Sequence, residues 1–347
     1  MMSFFRTRRQ EPPSMTLEGM LGPNGRLDEA RGMNVNAPDA LCVAADGRLL
    51  FSDGSSVMAL TAWGGEPELF AGFDTPVTAL CQGFGGFVAV GLAGGILAVL
   101  DDTGRRTENW SLPAGQPASI VDCAFTSDGH LLLVDCGYQS SENLLAMAAW
   151  DEEARGRLLA LSRTGELRVM AAGLHCPMGI CLDPDGAPLV SLLERAMIVD
   201  AGGKPRQAGY PGYLGRPRRT GAGYAIACWS RRDPLIEFLK TEQTFVEKMK
   251  ATIEPRHWIG PRIKPEFSHD FPIELGATRL FGEVKPWAPS FSYGLVIETD
   301  ETLMPIGSMQ SRANGHRHGI CDVAVWNGEL VAVSKGSGEI LNLGSRA

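Results

Sequence analysis

The chain has 347 residues, 44% of them hydrophobic and 21% charged, with a formal net charge of −8 and a pI near 5.4. That composition supports a large buried core and excludes a disordered or fibrous chain. The acidic balance repels phosphate backbones and anionic lipid, so neither nucleic acid nor a membrane surface is an expected partner.

At the start of the chain, Arg6, Arg8 and Arg9 are followed by Gln10, Glu11, Pro12 and Pro13 with no apolar stretch behind them, which reads as a frayed polar tail and not a secretory leader. Residues 1–36 are read as this tail and a lead-in. No window reaches the roughly 20 apolar residues of a membrane span. The eight cysteines form no C-x-x-C pair, and several lie inside apolar runs such as Leu41-Cys42-Val43 and Ile180-Cys181-Leu182. A reduced, cytoplasmic chain is the simplest account.

From Pro38 onward a unit recurs. Pro38 to Gly47 and Pro177 to Gly186 align without a gap, each a short apolar strand, an Asp-Gly turn and a second apolar strand. Equivalent turns fall at Asp46, Gly85, Asp128, Asp185, Ala222 and Asn327. Asp-Gly and Asn-Gly supply the positive φ of a tight hairpin, and a strand-turn-strand unit at this period is the mark of a propeller. The 105 residues between Ala222 and Asn327 exceed the other intervals. Within them, Pro234 to Lys240 and Phe245 to Lys250 have apolar residues at helical spacing, and the stretch from Pro255 to Pro289 is rich in Pro, Trp and Phe. The expected fold is all-β: a six-bladed β-propeller over 37–347, with one helical or irregular insertion, 231–291, in blade 5.

Three runs then carry a family resemblance: Tyr210-Pro211-Gly212-Tyr213, Arg218-Arg219-Thr220-Gly221-Ala222-Gly223-Tyr224 and Ser230-Arg231-Arg232-Asp233-Pro234. With Gly156 to Leu159, Gly173 to Gly179 and Tyr293 to Val296, they resemble in order the strictosidine synthase-like branch of the gluconolactonase and paraoxonase superfamily. The resemblance implies a six-bladed propeller with its site at one mouth of the central channel. In the metal-dependent relatives a Glu, two Asn and an Asp converge there on calcium, which needs several oxygen ligands. Here Asp39 stands for the Glu, Val121 for an Asn beside a retained Asp122, Met178 for the Asn of Pro-Asn-Gly, and Gly215-Arg216 for Asp-Asn. Alkyl, thioether and guanidinium groups do not serve a hard cation, so no metal ligands and no cofactor are expected, with a different divalent metal left open. Strictosidine synthase itself uses a Glu at the start of the last inner strand; Ile320 or Cys321 falls there, followed by Asp322, so that activity is not expected.

The candidate catalytic groups are His318, Asp122, Asp39 and Cys321. A histidine at the mouth titrates near neutral pH, carboxylates from different blades converge at inner-strand starts, and a thiol serves only if a neighbour lowers its pKa. Candidate substrate contacts are Arg216, Met178, His316 and Trp258. His316 and His318, two apart on an extended chain, could also pair on a transition metal with Asp39 or Asp122. Arg218, Arg219, Arg231 and Arg232 read as a solvated rim, and Trp258, Trp287 and Phe291 as packing for the insertion. Two functions stay open: a lactone or ester hydrolase, or a metal-free propeller that binds a small metabolite or a partner protein.

Overall fold

The computed structural model describes residues 14–264, 279–280, 283–284 and 292–345. Six sheets of three or four antiparallel strands stand in a ring as a β-propeller. Their inner strands are Leu41–Val43, Val77–Gln82, Asp122–Phe125, Pro177–Leu182, Gly212–Thr220 and Ile320–Trp326, one for each of blades 1 to 6. Each runs into its second strand through one of the six expected turns. Asn327 and Gly328 show why those residues stand there: φ is 52° and 78°, the left-handed pair of a two-residue hairpin that matches the strand twist.

Leu, Val, Ile and Ala from facing sheets fill the space between neighbouring blades. Leu50, Val57, Leu80 and Val90 pack blade 1 on blade 2, and Leu132, Leu158, Ile180 and Val190 pack blade 3 on blade 4. These strands are apolar on both faces because both faces are covered by a neighbour.

Blade 2 departs from the expected four strands and has three: Val77–Gln82, Val88–Leu92 and Ile96–Leu100. A fourth begins with the Leu100–Arg106 bridge and Thr107 donating to the Val99 carbonyl, but goes no further. Trp110 has φ of 58°, which turns the chain inward and stacks its indole edge-on against Phe87 and Phe125 at 5.2 and 5.3 Å. Pro113 and Pro117 then lack the N–H groups a ladder requires.

The ring closes through the segment expected to be a lead-in. Arg31–Asn34 pairs with Glu339–Ser345 as the outer strand of blade 6, so both ends of the chain share one sheet. Arg317 fastens the join: it donates to the Leu27 and Ala30 carbonyls and grips Glu339 with two nitrogens at 3.0 and 3.1 Å. Leu27 is fully buried among Val296, Ile320 and Leu341.

The insertion leaves blade 5 between its second and third strands, Gly223–Arg231 and Gly294–Thr299. Helix Pro234–Leu239 starts where Asp233 accepts from Leu235 N at 2.8 Å with Pro234 in the first turn, and helix Gln243–Thr252 follows. Both pack on Trp150 and Ala149, beside helix Leu144–Ala148 of blade 3. Trp287 and Phe291 lie outside the described residues. All eight cysteines are free thiols, and among the described residues no helix is long and apolar enough to cross a membrane.

Leu27→Ala should lower unfolding stability by about 2–5 kcal/mol, the range for emptying a buried leucine site. Urea denaturation checks it. A loss well under 1 kcal/mol would show that the N-terminal segment does not hold the ring closed.

Candidate functional site: a charged layer across the channel mouth

Inner strands start at one end of the ring, so residues far apart in sequence meet there. The strand Gly212–Thr220 contributes Arg216 and Arg218, which alternate onto one side. Gly179 lets the neighbouring blade approach: a Cβ at that position would stand 2.5 Å from the Arg216 Cα.

Arg216 is 3% exposed, and all three guanidinium nitrogens are engaged. Nε donates to the Val121 carbonyl at 3.0 Å, Nη1 to the Asp39 carbonyl at 2.5 Å, and Nη2 to Asp39 Oδ1 at 2.8 Å and the Thr78 carbonyl at 2.7 Å. One side chain of blade 5 therefore ties the inner strands of blades 1, 2 and 3. Asp122 and Asp322 lie 3.8 and 3.5 Å from it. Arg218 forks onto both oxygens of Asp122 at 2.7 and 2.9 Å and reaches Asp322 at 3.1 Å. The carboxylates are pinned in turn, Asp122 accepting from Ile180 N at 2.8 Å and Asp322 from Leu41 N at 2.9 Å.

Lys335, on the loop after the second strand of blade 6, completes the layer with a 2.5 Å bond to Asp39 Oδ2. Burial alone would raise the Asp39 pKa, but Lys335 and Arg216 outweigh it and hold the carboxyl below its ordinary value. Burial pushes Asp322 up to about 6 against the pull of Arg218 and Arg216. Three basic groups, Arg216, Arg218 and Lys335, thus face three carboxyl groups, Asp39, Asp122 and Asp322.

Apolar side chains pack beside this layer. Met178, Tyr213, Trp229 and Cys321 share one packed cluster, with Val121, Leu144, Met147 and Ile263 against it. The insertion crosses the mouth as a strap. Gly260 rests on Leu145 and Ala146 of blade 3, while the Ile263 carbonyl abuts Gly319 and Gly336 of blade 6, on the opposite side of the ring.

The structure thus brings Asp39, Asp122, Met178, Arg216 and Cys321 to the mouth. Cys321 is no base there: burial raises its thiol pKa, Asp39 raises it further, and the S–H donates to the Asp39 carbonyl at 3.1 Å. His318 is not in the channel. It is fully buried between blades 5 and 6, its Nε2–H donating to the Arg312 carbonyl at 2.8 Å and its Nδ1 accepting from Ser292 at 3.1 Å. His316 points outward beside Asp28, 66% exposed, so the two histidines do not converge on a metal with Asp39 or Asp122. Trp258 also stays away: it donates to the Ile253 carbonyl at 2.8 Å and packs the insertion helices.

Two rim arginines are not rim. Arg218 is in the layer, and Arg232 is buried against Glu237 at 2.6 Å. The same-side spacing of Arg216 and Arg218 could have flagged the first. Nothing in the sequence pattern marks Lys335 or Trp229.

The site does not fit calcium. Its carboxylates are separated by guanidinium groups, and the carbonyls of Asp39, Thr78 and Val121 already accept from Arg216. Among the described residues, no three His, Cys, Asp or Glu side chains gather as a metal site.

Fold and site together define a six-bladed propeller with a charge-filled channel mouth. No family model and no curated protein matches the chain. Among solved structures it is similar to a candidate gluconolactonase, over 90% of this chain and 91% of that one, with 13% identity and a TM-score of 0.55. It is likewise similar to regucalcin, a calcium-binding protein of Agrobacterium tumefaciens strain C58, over 91% and 94% of the two chains, with 12% identity and a TM-score of 0.54. The chain therefore shares the propeller fold of the gluconolactonase and regucalcin structures.

Arg216→Met should cost about 3–5 kcal/mol, the usual loss when one partner of a buried ion pair is removed. Calcium and EGTA should leave the wild-type melting temperature unchanged; a calcium-dependent rise would contradict the site described. A third prediction concerns His318, whose pKa burial lowers from 6.5, against the Arg312 carbonyl and Asp28, which raise it. The unfolded chain then takes up this proton first, so the contribution of His318 to stability should fall as pH drops below about 6.5, opposite in sign to that of Asp322, whose raised pKa lets the folded state take up a proton first. His318→Asn should flatten that slope in denaturation at pH 5–8 without altering ligand binding at the mouth.

Proposed function

We propose that this chain is a small-molecule-binding propeller whose ligand sits at the channel mouth, above the Arg216 layer and beneath the strap, with no metal in the channel. The saturation of Arg216 carries this reading. Its nitrogens are spent on three blades, so the floor is rigid and electrically balanced. Met178, Tyr213 and Trp229 pack beside it, with Val121 against them. An apolar lining with a few fixed polar groups is the ordinary form of a small-molecule site.

Hydrolysis of a lactone or ester is the second reading. It is favoured by Lys335 and Asp39, 2.5 Å apart, which set a carbonyl-polarising cation beside an ionised carboxylate. The resemblance of residues 210–234 to the strictosidine synthase-like run, and the fold shared with a candidate gluconolactonase, support the same superfamily setting. The strength of its base limits this reading, since a carboxylate held below its ordinary pKa takes a proton from water weakly.

A panel of neutral lactones, aryl esters and ketones, tested by thermal shift and by turnover, separates the two. A ligand at 100 times its dissociation constant adds about 2.7 kcal/mol and should raise the melting temperature visibly, with or without EGTA. Binding without turnover supports the first reading. Turnover that falls by about 10²-fold or more in Asp39→Asn supports the second. A panel in which nothing binds or turns over would overturn both.

A further inference from the structure

A second concavity lies on the face of the ring opposite the mouth, where the inner strands of blades 2 and 3 end in their turns. The Phe84–Gly86 turn, the Asp128-Gly129 turn and the outer turn of blade 3 at 162–164 line a cavity of about 420 Å³. That size falls in the range of about 300–1,000 Å³ usual for small-molecule sites. Its lining is aromatic: Phe87, Trp110 and Phe125 meet edge-on, and Phe84 joins them with 64% of its surface exposed. The left-handed turn at Trp110 that ends blade 2 after three strands is what delivers the indole here. Its N–H donates to the Gly129 carbonyl at 3.3 Å, so the indole is fixed and offers the cavity ring surface.

A cation faces these rings. Arg163 also lines the cavity, its guanidinium carbon 5.5 Å from the centroid of the Trp110 ring and 5.8 Å from that of Phe87. A guanidinium held over aromatic rings keeps N–H donors for a carboxylate. The Arg163 side chain makes no hydrogen bond and no ion pair among the described residues. The nearby carboxylate is engaged by its own neighbours: Asp128 accepts from the Thr126 hydroxyl and lies 3.2 Å from His130, and these two hold its pKa down to about 2.

We infer that this cavity, independent of the mouth, binds a small aromatic carboxylate, with the ring among Phe84, Phe87 and Trp110 and the carboxylate on the Arg163 guanidinium. The same residues select the class. An ammonium ligand would need the ring faces that Arg163 covers, and Arg163 would repel it. An uncharged ring would leave the guanidinium without an anion, and an aliphatic acid would forgo the aromatic contacts.

The test uses the full chain and follows the tryptophan indole N–H signals by nitrogen-15 NMR. Arg163→Gln, at an exposed position, marks the Trp110 signal as the one that moves without any probe, and Trp110→Phe gives a second assignment. Phenylacetate at millimolar concentration should shift that signal saturably, with phenylacetamide and cyclohexylacetate at least tenfold weaker and phenyltrimethylammonium without effect. Arg163→Gln should weaken phenylacetate at least tenfold and leave phenylacetamide unchanged. Phe84→Ala, on an exposed turn, should weaken both aromatic probes. Phenylacetamide binding as tightly as phenylacetate, or losing as much in Arg163→Gln, would overturn the role given to Arg163. Cyclohexylacetate binding equally well would overturn the aromatic preference, and binding of the ammonium probe would overturn the class. If phenylacetate leaves the Trp110 signal still, or moves only other tryptophans, the cavity is not its site and the inference falls, whatever the mouth binds.

Discussion

The guanidinium of Arg216 is the one interaction on which the channel depends. Inner strands of a propeller present unpaired backbone carbonyls to the central axis, and a buried carbonyl without a donor is costly. In this ring the donor comes from a side chain that crosses from blade 5 to the carbonyls of Asp39, Thr78 and Val121. A charge placed so deep needs partners, and Asp39, Asp122 and Asp322 converge because their strands start at the same level. Arg218 and Lys335 then complete a layer in which every charge faces its opposite.

That layer governs what lies above it. A balanced floor projects little field, so the mouth can be walled by Met178, Tyr213 and Trp229 without leaving a naked charge against them.

The perimeter answers a different constraint. Sharing strands from both ends of the chain in one blade ties a ring of antiparallel sheets shut, and Arg31–Asn34 against Glu339–Ser345 does so here. Arg317 and the buried Leu27 reinforce it from the outside. The insertion spans opposite blades, 3 and 6, so the roof of the mouth is braced on both sides of the ring. Blade 2 gives up its fourth strand to the aromatic packing of Trp110.

The fold was legible in the sequence because its signals are local. Asp46, Gly85, Asp128, Asp185, Ala222 and Asn327 mark the turns, since positive φ and tight hairpins depend on adjacent residues alone. Helical spacing from Pro234 to Lys250 marked the insertion for the same reason. The strand count of blade 2 was not legible, since it turns on where one indole finds its partners, nor was the pairing of Arg31–Asn34 with a strand some 300 residues away. The site divided along the same line. Strand starts placed Asp39, Asp122, Met178, Arg216 and Cys321 on one rim by repetition. His318, two residues before the last inner strand, went into the interface between blades because Ser292 and the Arg312 carbonyl satisfy its two nitrogens there. Arg218 turned inward because Asp122 and Asp322 wait for it, and Lys335 and Trp229 meet only when blades 5 and 6 close. Turn chemistry and repeat period belong to neighbours along the chain, whereas the partner of a charge or an indole N–H belongs to neighbours in space, and only the closed ring decides those.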